Sequence, residues 1–74
     1  AVGVYGLAVS KAGDVLASLD SEVWIIRDGV GTKLPFSGDL DNVRRVAFDA
    51  DGNVYAAEEH GRKRVLKLPA SSFK

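Results

Sequence analysis

The chain has 74 residues, ten basic and ten acidic side chains, no cysteine and an apolar content of 46%. This length permits one small domain with a marginal core, and without cysteine no disulfide can support it. A formal net charge of zero argues against a general polyanion binder, so no nucleic-acid partner is expected. No apolar run approaches the roughly 20 residues that span a bilayer, so direct membrane insertion is not expected either.

Short runs of Val, Ile, Leu and aromatic residues, separated by Gly, Asp and Asn, extend through the whole chain. This pattern is typical of strands joined by tight turns, and no segment has a helical pattern. The predicted strands, in chain order, lie near residues 6–10, 14–19, 22–27, 32–36, 43–48, 53–58 and 64–68. The predicted fold class is therefore all-β.

The predicted strands repeat along the chain. The segment GLAVSKAGDVLAS aligns with RVAFDADGNVYAA, and VWII then aligns with VLKL after a hairpin that is longer in the second copy. The identical pairs are Ala8/Ala47, Gly13/Gly52, Val15/Val54 and Ala17/Ala56. A period of about 40 residues with four strands per unit is typical of propeller blades. The alternative is chance similarity between two generic hairpins.

The two copies resemble NHL repeats, in GLAVSKAGDVLAS…EVWII…TKLPFSG and in VAFDADGNVYAAEEHGRKRVLKL. The pattern is particularly similar to the propeller that forms the extracellular sensor domain of bacterial, above all mycobacterial, serine/threonine protein kinases. The resemblance implies one partial β-propeller domain over residues 1–74, with blades at about 4–41 and 42–74. It also implies an extracytoplasmic, cell-surface location.

The chain departs from the NHL pattern at several positions, and its second copy has fewer strands than a full blade. Arg45 stands where the family has a glycine, Ser10 where it has an aspartate, and the LDSEV hairpin lacks the usual Asn-Arg. The resemblance places Pro35 in the outermost strand of the first blade, an edge position that suits a residue without an N–H group. The second blade lacks its fourth strand, because only PASSFK follows the third. We therefore expect two terminal blades of a longer propeller.

The stretch DADGN allows two interpretations. An EF-hand loop with Gly52 at its sixth position would use Asp49, Asp51 and Glu58 as ligands, but Ala47 would then hold the first position. Strands, instead of helices, also flank the stretch. The alternative is a β-turn in which an Asp side chain caps backbone N–H groups and Gly adopts a positive φ. The sequence favours the turn, and no metal or cofactor is expected.

The basic run Arg62, Lys63 and Arg64 lies on a predicted hairpin, with Glu58 and Glu59 across it. Opposite charges on paired strands stabilise the pairing, and charged residues protect an open edge from strand addition. A nucleic-acid site would need interleaved aromatic residues and a basic domain. The run is therefore interpreted as a solvated hairpin.

Catalytic groups are scarce. His60 is the only histidine, and no serine has a base at a recognisable spacing, so no enzymatic activity is expected. His60 is interpreted as a solvent-facing turn residue. Trp24, between apolar neighbours in a strand, is interpreted as packing between blades instead of as a ligand-binding aromatic residue.

The leading functional prediction is a non-enzymatic module that binds a protein or small-molecule ligand. In NHL propellers, the loops before the inner strands and the hairpins between the second and third strands meet at the channel mouth. By that resemblance the candidate positions are Tyr5, Asp41, Asn42, Arg44, Arg45, His60, Arg62 and Lys63. Their other interpretation is ordinary polar loop surface. The alternative function is a structural unit that assembles into a closed ring and has no ligand of its own.

The charges are distributed unevenly along the chain. Residues 1–41 carry three basic and six acidic side chains, whereas residues 42–74 carry seven basic and four acidic ones. Two blades alone would leave apolar faces and a strand edge exposed, which is unfavourable for a monomer. Oppositely charged halves favour a head-to-tail contact between copies. We expect self-association or attachment to the other blades of a larger propeller.

Overall fold

The computed structural model describes residues 3–36, 40–59, 61 and 63–73. Its strands are β1 (Gly6–Val9), β2 (Val15–Ser18), β3 (Val23–Arg27), β4 (Val30–Lys33), β5 (Val43–Phe48), β6 (Val54–Glu58) and β7 (Val65–Leu68). All pairings are antiparallel, in one sheet of order β1-β2-β3-β4 and another of order β5-β6-β7. The prediction of an all-β chain with a four-stranded and a three-stranded sheet is confirmed. Over the described residues the two sheets do not close a propeller.

The two sheets pack against each other through β1 and β2 of the first sheet and β5 of the second. Because side chains alternate across a strand, one face of each sheet turns toward the other. Leu16 and Ile25, which pair across β2 and β3, belong to this face in the first sheet, and Val54 and Ala56 belong to it in the second. All four are buried in a single core cluster that contains residues of both sheets. The core therefore lies between the sheets.

Gly6 sets how closely β1 approaches β5. A Cβ atom built on Gly6 would lie 2.8 Å from the carbonyl oxygen of Arg44 and 2.9 Å from the Oγ of Ser18. Neither distance is compatible with a side chain, and the carbonyl oxygen belongs to backbone that cannot swing aside. A glycine in a strand often marks such an approach of another backbone. Gly6 is therefore required by the contact between the sheets.

The β1–β2 and β5–β6 turns have the same backbone geometry. The N–H of Gly13 donates to the carbonyl of Ser10 at 3.0 Å, and the N–H of Gly52 donates to that of Asp49 at 3.1 Å. The φ angles are +91° at Gly13 and +82° at Gly52, in the left-handed region that favours glycine. The prediction of two equivalent glycine turns with positive φ is confirmed.

The fourth strand begins earlier than the sequence pattern predicts. Asp28 and Gly29 both have positive φ, 51° and 80°, which is the geometry of a two-residue type I′ hairpin turn. This tight turn places Val30 directly opposite Arg27, and the strand ends at Lys33. Pro35 therefore lies beyond the strand, and its predicted place in the outermost strand is wrong.

Trp24 lies on the side of the first sheet that is turned away from the second sheet. Its neighbours in β3, Val23 and Ile25, are buried against the second sheet, so the alternation turns Trp24 away from that sheet. Its Nε1–H donates to Oε1 of Glu22 at 3.0 Å. Within this chain Trp24 thus lies outside the contact between the two sheets, and its packing between blades stays a prediction.

After β7 the chain turns through Pro69 into a short 3-10 segment, Ala70–Ser72. The N–H of Ala70 donates to Oδ1 of Asn53, and the Arg27 guanidinium carbon lies 5.5 Å from the centre of the Phe73 ring. The segment therefore returns toward the first sheet and packs at the edge of the core. The described part of the chain contains no helix long and apolar enough to cross a membrane.

The turn glycine gives a prediction for stability. Gly52→Val should lower the free energy of unfolding by about 1–2 kcal/mol, because a β-branched residue is strained at a positive φ. The nearest atom to its added Cβ, the Ala70 Cβ, would lie 3.9 Å away, so the loss would come from backbone strain and not from a clash. Urea denaturation measures the change.

The control is Gly31→Ala in β4, whose added Cβ would meet Trp24 at an ordinary 3.6 Å. This change should stay within about 0.5 kcal/mol of the parent chain. Equal losses at both positions would contradict the role assigned to the backbone conformation of Gly52.

Candidate functional site

An open cleft of about 590 Å³ lies where the chain enters β1 and β5. Its lining residues are Tyr5, Gly6, Leu7, Arg44, Arg45, Val46 and Glu59. The cleft forms here because β1 and β5 are the strands through which the two sheets meet. We refer to it as the Arg45 cleft.

Arg44 forms a fixed wall of the Arg45 cleft. Its guanidinium carbon lies 3.8 Å from the centre of the Tyr5 ring, which is a close cation–π contact. Its Nη2 donates to Oδ1 of Asn42 at 3.2 Å and lies 3.9 Å from Oδ1 of Asp20. The side chain is about one quarter exposed. These contacts hold the Arg44 side chain and the Tyr5 ring in one position.

Arg45 is held much less firmly. Its side chain is 79% exposed, and its Nε lies 3.4 Å from Oε2 of Glu59. An ion pair this exposed contributes little to stability, so the guanidinium can exchange Glu59 for another partner. The pairing of β5 with β6 shifts register between Val43 and Arg45. The two adjacent arginines therefore have different roles. Arg44 is part of the framework, and Arg45 is available for binding.

The same cleft also has an apolar surface. Leu7 is 68% exposed and Tyr5 is 49% exposed, and both lie beside the arginines. Exposed apolar side chains next to a loosely held guanidinium suit a ligand that has an apolar part and an anionic group.

A buried carboxylate supports the loop that leads into β5. Glu58, at the end of β6, is 3% exposed, and its Oε2 accepts the backbone N–H of Asp41 at 2.8 Å. Its Oε1 accepts the Nε–H of Arg64 at 2.8 Å, and Oε2 also lies 3.2 Å from Nη2 of Arg64. The carbonyl of Asn42 accepts the N–H of Glu59 at 3.2 Å. Glu58 thus ties the β6–β7 hairpin to the loop that carries Asn42.

The contact with Glu58 changes the interpretation of the basic run. The hydrogen bond that the Arg64 guanidinium donates to the Glu58 carboxylate raises the pKa of Arg64 above its ordinary value. Arg64 is therefore a structural partner of a buried carboxylate and not a solvated charge of the hairpin. Lys63 is exposed on that hairpin with a φ of 52°, and Arg62 lies outside the described residues.

The structure brings together only part of the predicted site. Tyr5, Arg44 and Arg45 line the Arg45 cleft, and Asn42 contacts it through Arg44. Asp41 and Lys63 are exposed but do not line it, and His60 lies outside the described residues. The sequence reasoning missed Leu7, Val46 and Glu59. Leu7 could have been found from the alternation along β1, which turns it away from the side of Ala8.

A second cleft, of about 560 Å³, lies at the other end of β1, between the two equivalent turns. Here Oδ1 of Asp49 accepts the backbone N–H groups of Asp51 and Asn53, at 3.0 and 2.9 Å. Its Oδ2 accepts the amide of the Asn53 side chain and the hydroxyl of Tyr55. The prediction of an Asp-capped turn is confirmed, because this carboxylate caps its own loop. Among the described residues, no three His, Asp or Glu side chains are grouped closely enough to hold a metal.

The sequence matches no protein-family model, and no curated protein matches it significantly. The Arg45 cleft is therefore interpreted from its own geometry.

The buried carboxylate gives a stability prediction with a neighbouring control. Glu58→Gln should cost about 1–3 kcal/mol, because it removes the charge that accepts hydrogen bonds from Asp41 and Arg64 inside the protein. Glu59→Gln changes the adjacent, exposed residue in the same way and should cost less than about 0.5 kcal/mol. Thermal and urea unfolding compare the two. Similar losses for both would show that Glu58 does not support the loop.

The Asp49 turn gives a prediction for pH dependence. The hydrogen bond from the Asn53 side chain, with smaller contributions from Tyr55 and from backbone N–H groups, lowers the pKa of Asp49. The pKa of Glu22 is also lowered, first by its hydrogen bond from Trp24. As pH falls, the carboxylates of Asp49 and Glu22 are therefore protonated in the unfolded chain before they are protonated in the folded chain. The stability that these two carboxylates contribute is fully present above the ordinary carboxyl pKa of about 4. It is lost as pH falls from that value through the lowered pKa values of the folded state.

Asp49→Asn should consequently flatten the acid side of a Tm-against-pH curve, which thermal unfolding at a series of pH values measures. Calcium should not change the Tm of the parent chain. A calcium-dependent rise in Tm that Asp51→Ala abolishes would overturn the turn interpretation in favour of a metal loop.

Proposed function

We propose that the chain is a non-enzymatic binding module and that the Arg45 cleft recognises a ligand carrying a carboxylate group. The observation that carries the proposal is the contrast between two adjacent arginines. Arg44 is fixed on Tyr5, whereas Arg45 is 79% exposed and is paired only with the side chain of Glu59 at 3.4 Å among the contacts of the described residues.

In this proposal the ligand carboxylate replaces Glu59 as the partner of Arg45. The planar guanidinium can donate two parallel hydrogen bonds to one carboxylate, a stronger arrangement than the single Nε contact to Glu59. Leu7 and the exposed half of Tyr5 cover the apolar part of the ligand. Because Arg44 and Tyr5 are already ordered, little side-chain entropy is lost at that wall on binding.

We further propose that this module is a piece of a sensor-type NHL propeller located outside the cytoplasm, as the sequence resemblance implies. Two antiparallel sheets with equivalent glycine turns and successive strands in neighbouring positions support this part of the proposal. A sensor needs selective recognition and no chemistry of its own, which agrees with a cleft built from arginine, aromatic and aliphatic side chains.

The test uses a pair of probes that differ in charge. Glutarate should shift the NMR signals of the Leu7 methyl groups and the Val46 amide in a saturable manner, whereas glutaramide, its neutral diamide, should not. Arg45→Gln should weaken glutarate binding about tenfold, because it removes a charged hydrogen-bond donor. Arg27→Gln is the matched control, since Arg27 lies at the second cleft and pairs with Asp14.

The proposal fails if glutarate and glutaramide produce the same shifts. It also fails if Arg45→Gln and Arg27→Gln have the same effect, because the response would then be a general effect of charge.

A further inference from the structure

The contact between the two sheets joins two unlike faces of the repeat. In the second sheet, the side facing the core includes Val46, Phe48, Val54 and Ala56. The repeat alignment matches these residues with Leu7, Val9, Val15 and Ala17 of the first sheet. Those four lie on the side of the first sheet that is turned away from the core, as the strand pairing shows. The side of the second sheet that packs in the core therefore corresponds, in the repeat, to the side of the first sheet that lies at the surface.

The same relation holds in the other direction. In the first sheet the side facing the core includes Ala8 and Leu16, which the repeat matches with Ala47 and Tyr55. Ala47 and Tyr55 pair across β5 and β6 on the unpacked side of the second sheet. The contact inside the chain is therefore heterologous, because it joins two different faces of the repeat. The positions equivalent to each of these faces lie at the surface of the other sheet.

We name these unpacked surfaces. The first outer face consists of Leu7, Val9, Val15, Ala17, Trp24 and Ile26. The second outer face consists of Arg45, Ala47, Tyr55, Ala57, Val65 and Lys67. Leu7 and Val9 are 68% and 69% exposed on the first, and Val65 is 71% exposed on the second. All six residues of the first outer face are apolar, and exposed apolar side chains grouped on one face of a small chain mark an interaction site.

We propose that the first outer face of one copy of this chain binds the second outer face of another copy, head to tail. The packing inside the chain is the template for this contact, because it already joins one face of each type. Charge favours the same pairing, since the half with the first outer face carries more acidic side chains and the other half carries more basic ones. Such a heterologous contact repeats from chain to chain until a ring closes or a filament grows.

One residue opposes the contact. The repeat matches Arg45 with Gly6, the position where a Cβ atom would lie 2.8 Å from a backbone oxygen of the facing sheet. Arg45 therefore keeps the two copies apart at that end, and the docked surface centres on Ala47, Tyr55 and Val65. Arg45→Gly should consequently tighten the association, which a ligand-binding role for Arg45 alone does not predict.

The experiment blocks the two faces separately. Leu7→Lys with Val9→Lys blocks the first outer face, and Ala47→Glu with Val65→Glu blocks the second. All four positions are exposed, so each variant should fold, as circular dichroism would verify. Sedimentation velocity from low to high micromolar concentration should show that the parent chain associates and that each blocked variant remains a single chain.

An equimolar mixture of the two blocked variants distinguishes head-to-tail contact from other modes. Each variant keeps the face that the other has lost, so the mixture should form a pair of chains and nothing larger. Val30→Lys, on the other side of the first sheet, is the control and should associate like the parent chain. Arg45→Gly should lower the dissociation constant of the contact between copies by about tenfold, a change measured in the same instrument.

Three outcomes would overturn the proposal. The parent chain could remain a single chain at every concentration. A variant blocked on one face could still form pairs alone, which would show a symmetric contact of the other face with itself. The mixture could fail to form pairs although both variants are folded.

Discussion

The face-to-face contact between the two sheets is the constraint on which the rest of the structure depends. A sheet of three or four short strands has a single layer, and its apolar face is buried only when another layer covers it. Leu16 and Val54 are fully buried on opposite sides of this contact. Among the described elements, it is the facing sheet that covers these two side chains. The contact in turn requires Gly6, because any side chain there would meet the backbone of β5.

The Arg45 cleft is a consequence of that contact and of one buried polar group. Glu58 and Glu59 are neighbours, yet Glu58 is buried at the end of β6 and Glu59, the residue after the strand, is exposed. The buried carboxylate holds the hairpin and the loop before β5, and the exposed one is a replaceable partner of Arg45. Adjacent residues of the same type thus have different roles, one in the framework and one at the binding surface.

Leu7 connects the two proposals, since it lines the Arg45 cleft and also belongs to the first outer face. Arg45 connects them as well, with opposite consequences, because its side chain is favourable for an anionic ligand and unfavourable for close packing of a second copy. A binding cleft at the rim of an assembly surface would place the ligand next to the neighbouring chain. Ligand binding and association would then influence each other's affinity by the same factor.

The sequence by itself determined the features that depend on neighbouring residues. The seven strands follow from local alternation and from turn residues, and the positive φ at Gly13 and Gly52 follows from the turn chemistry. The three strands of the second sheet follow from the three strand patterns that the sequence shows after residue 42. Arg44 and Arg45 were candidate positions through the resemblance to NHL repeats, and in the structure both line the Arg45 cleft.

Only the tertiary structure decided which side of each strand meets the other sheet. That choice turned Trp24 outward, exposed Leu7 beside the arginines and buried Glu58 where Asp41 and Arg64 reach it. The type I′ turn at Asp28 and Gly29 likewise moved the fourth strand away from Pro35. The reason is physical: alternation divides a strand's residues into two sets, but which set is covered depends on the surface that another part of the chain presents.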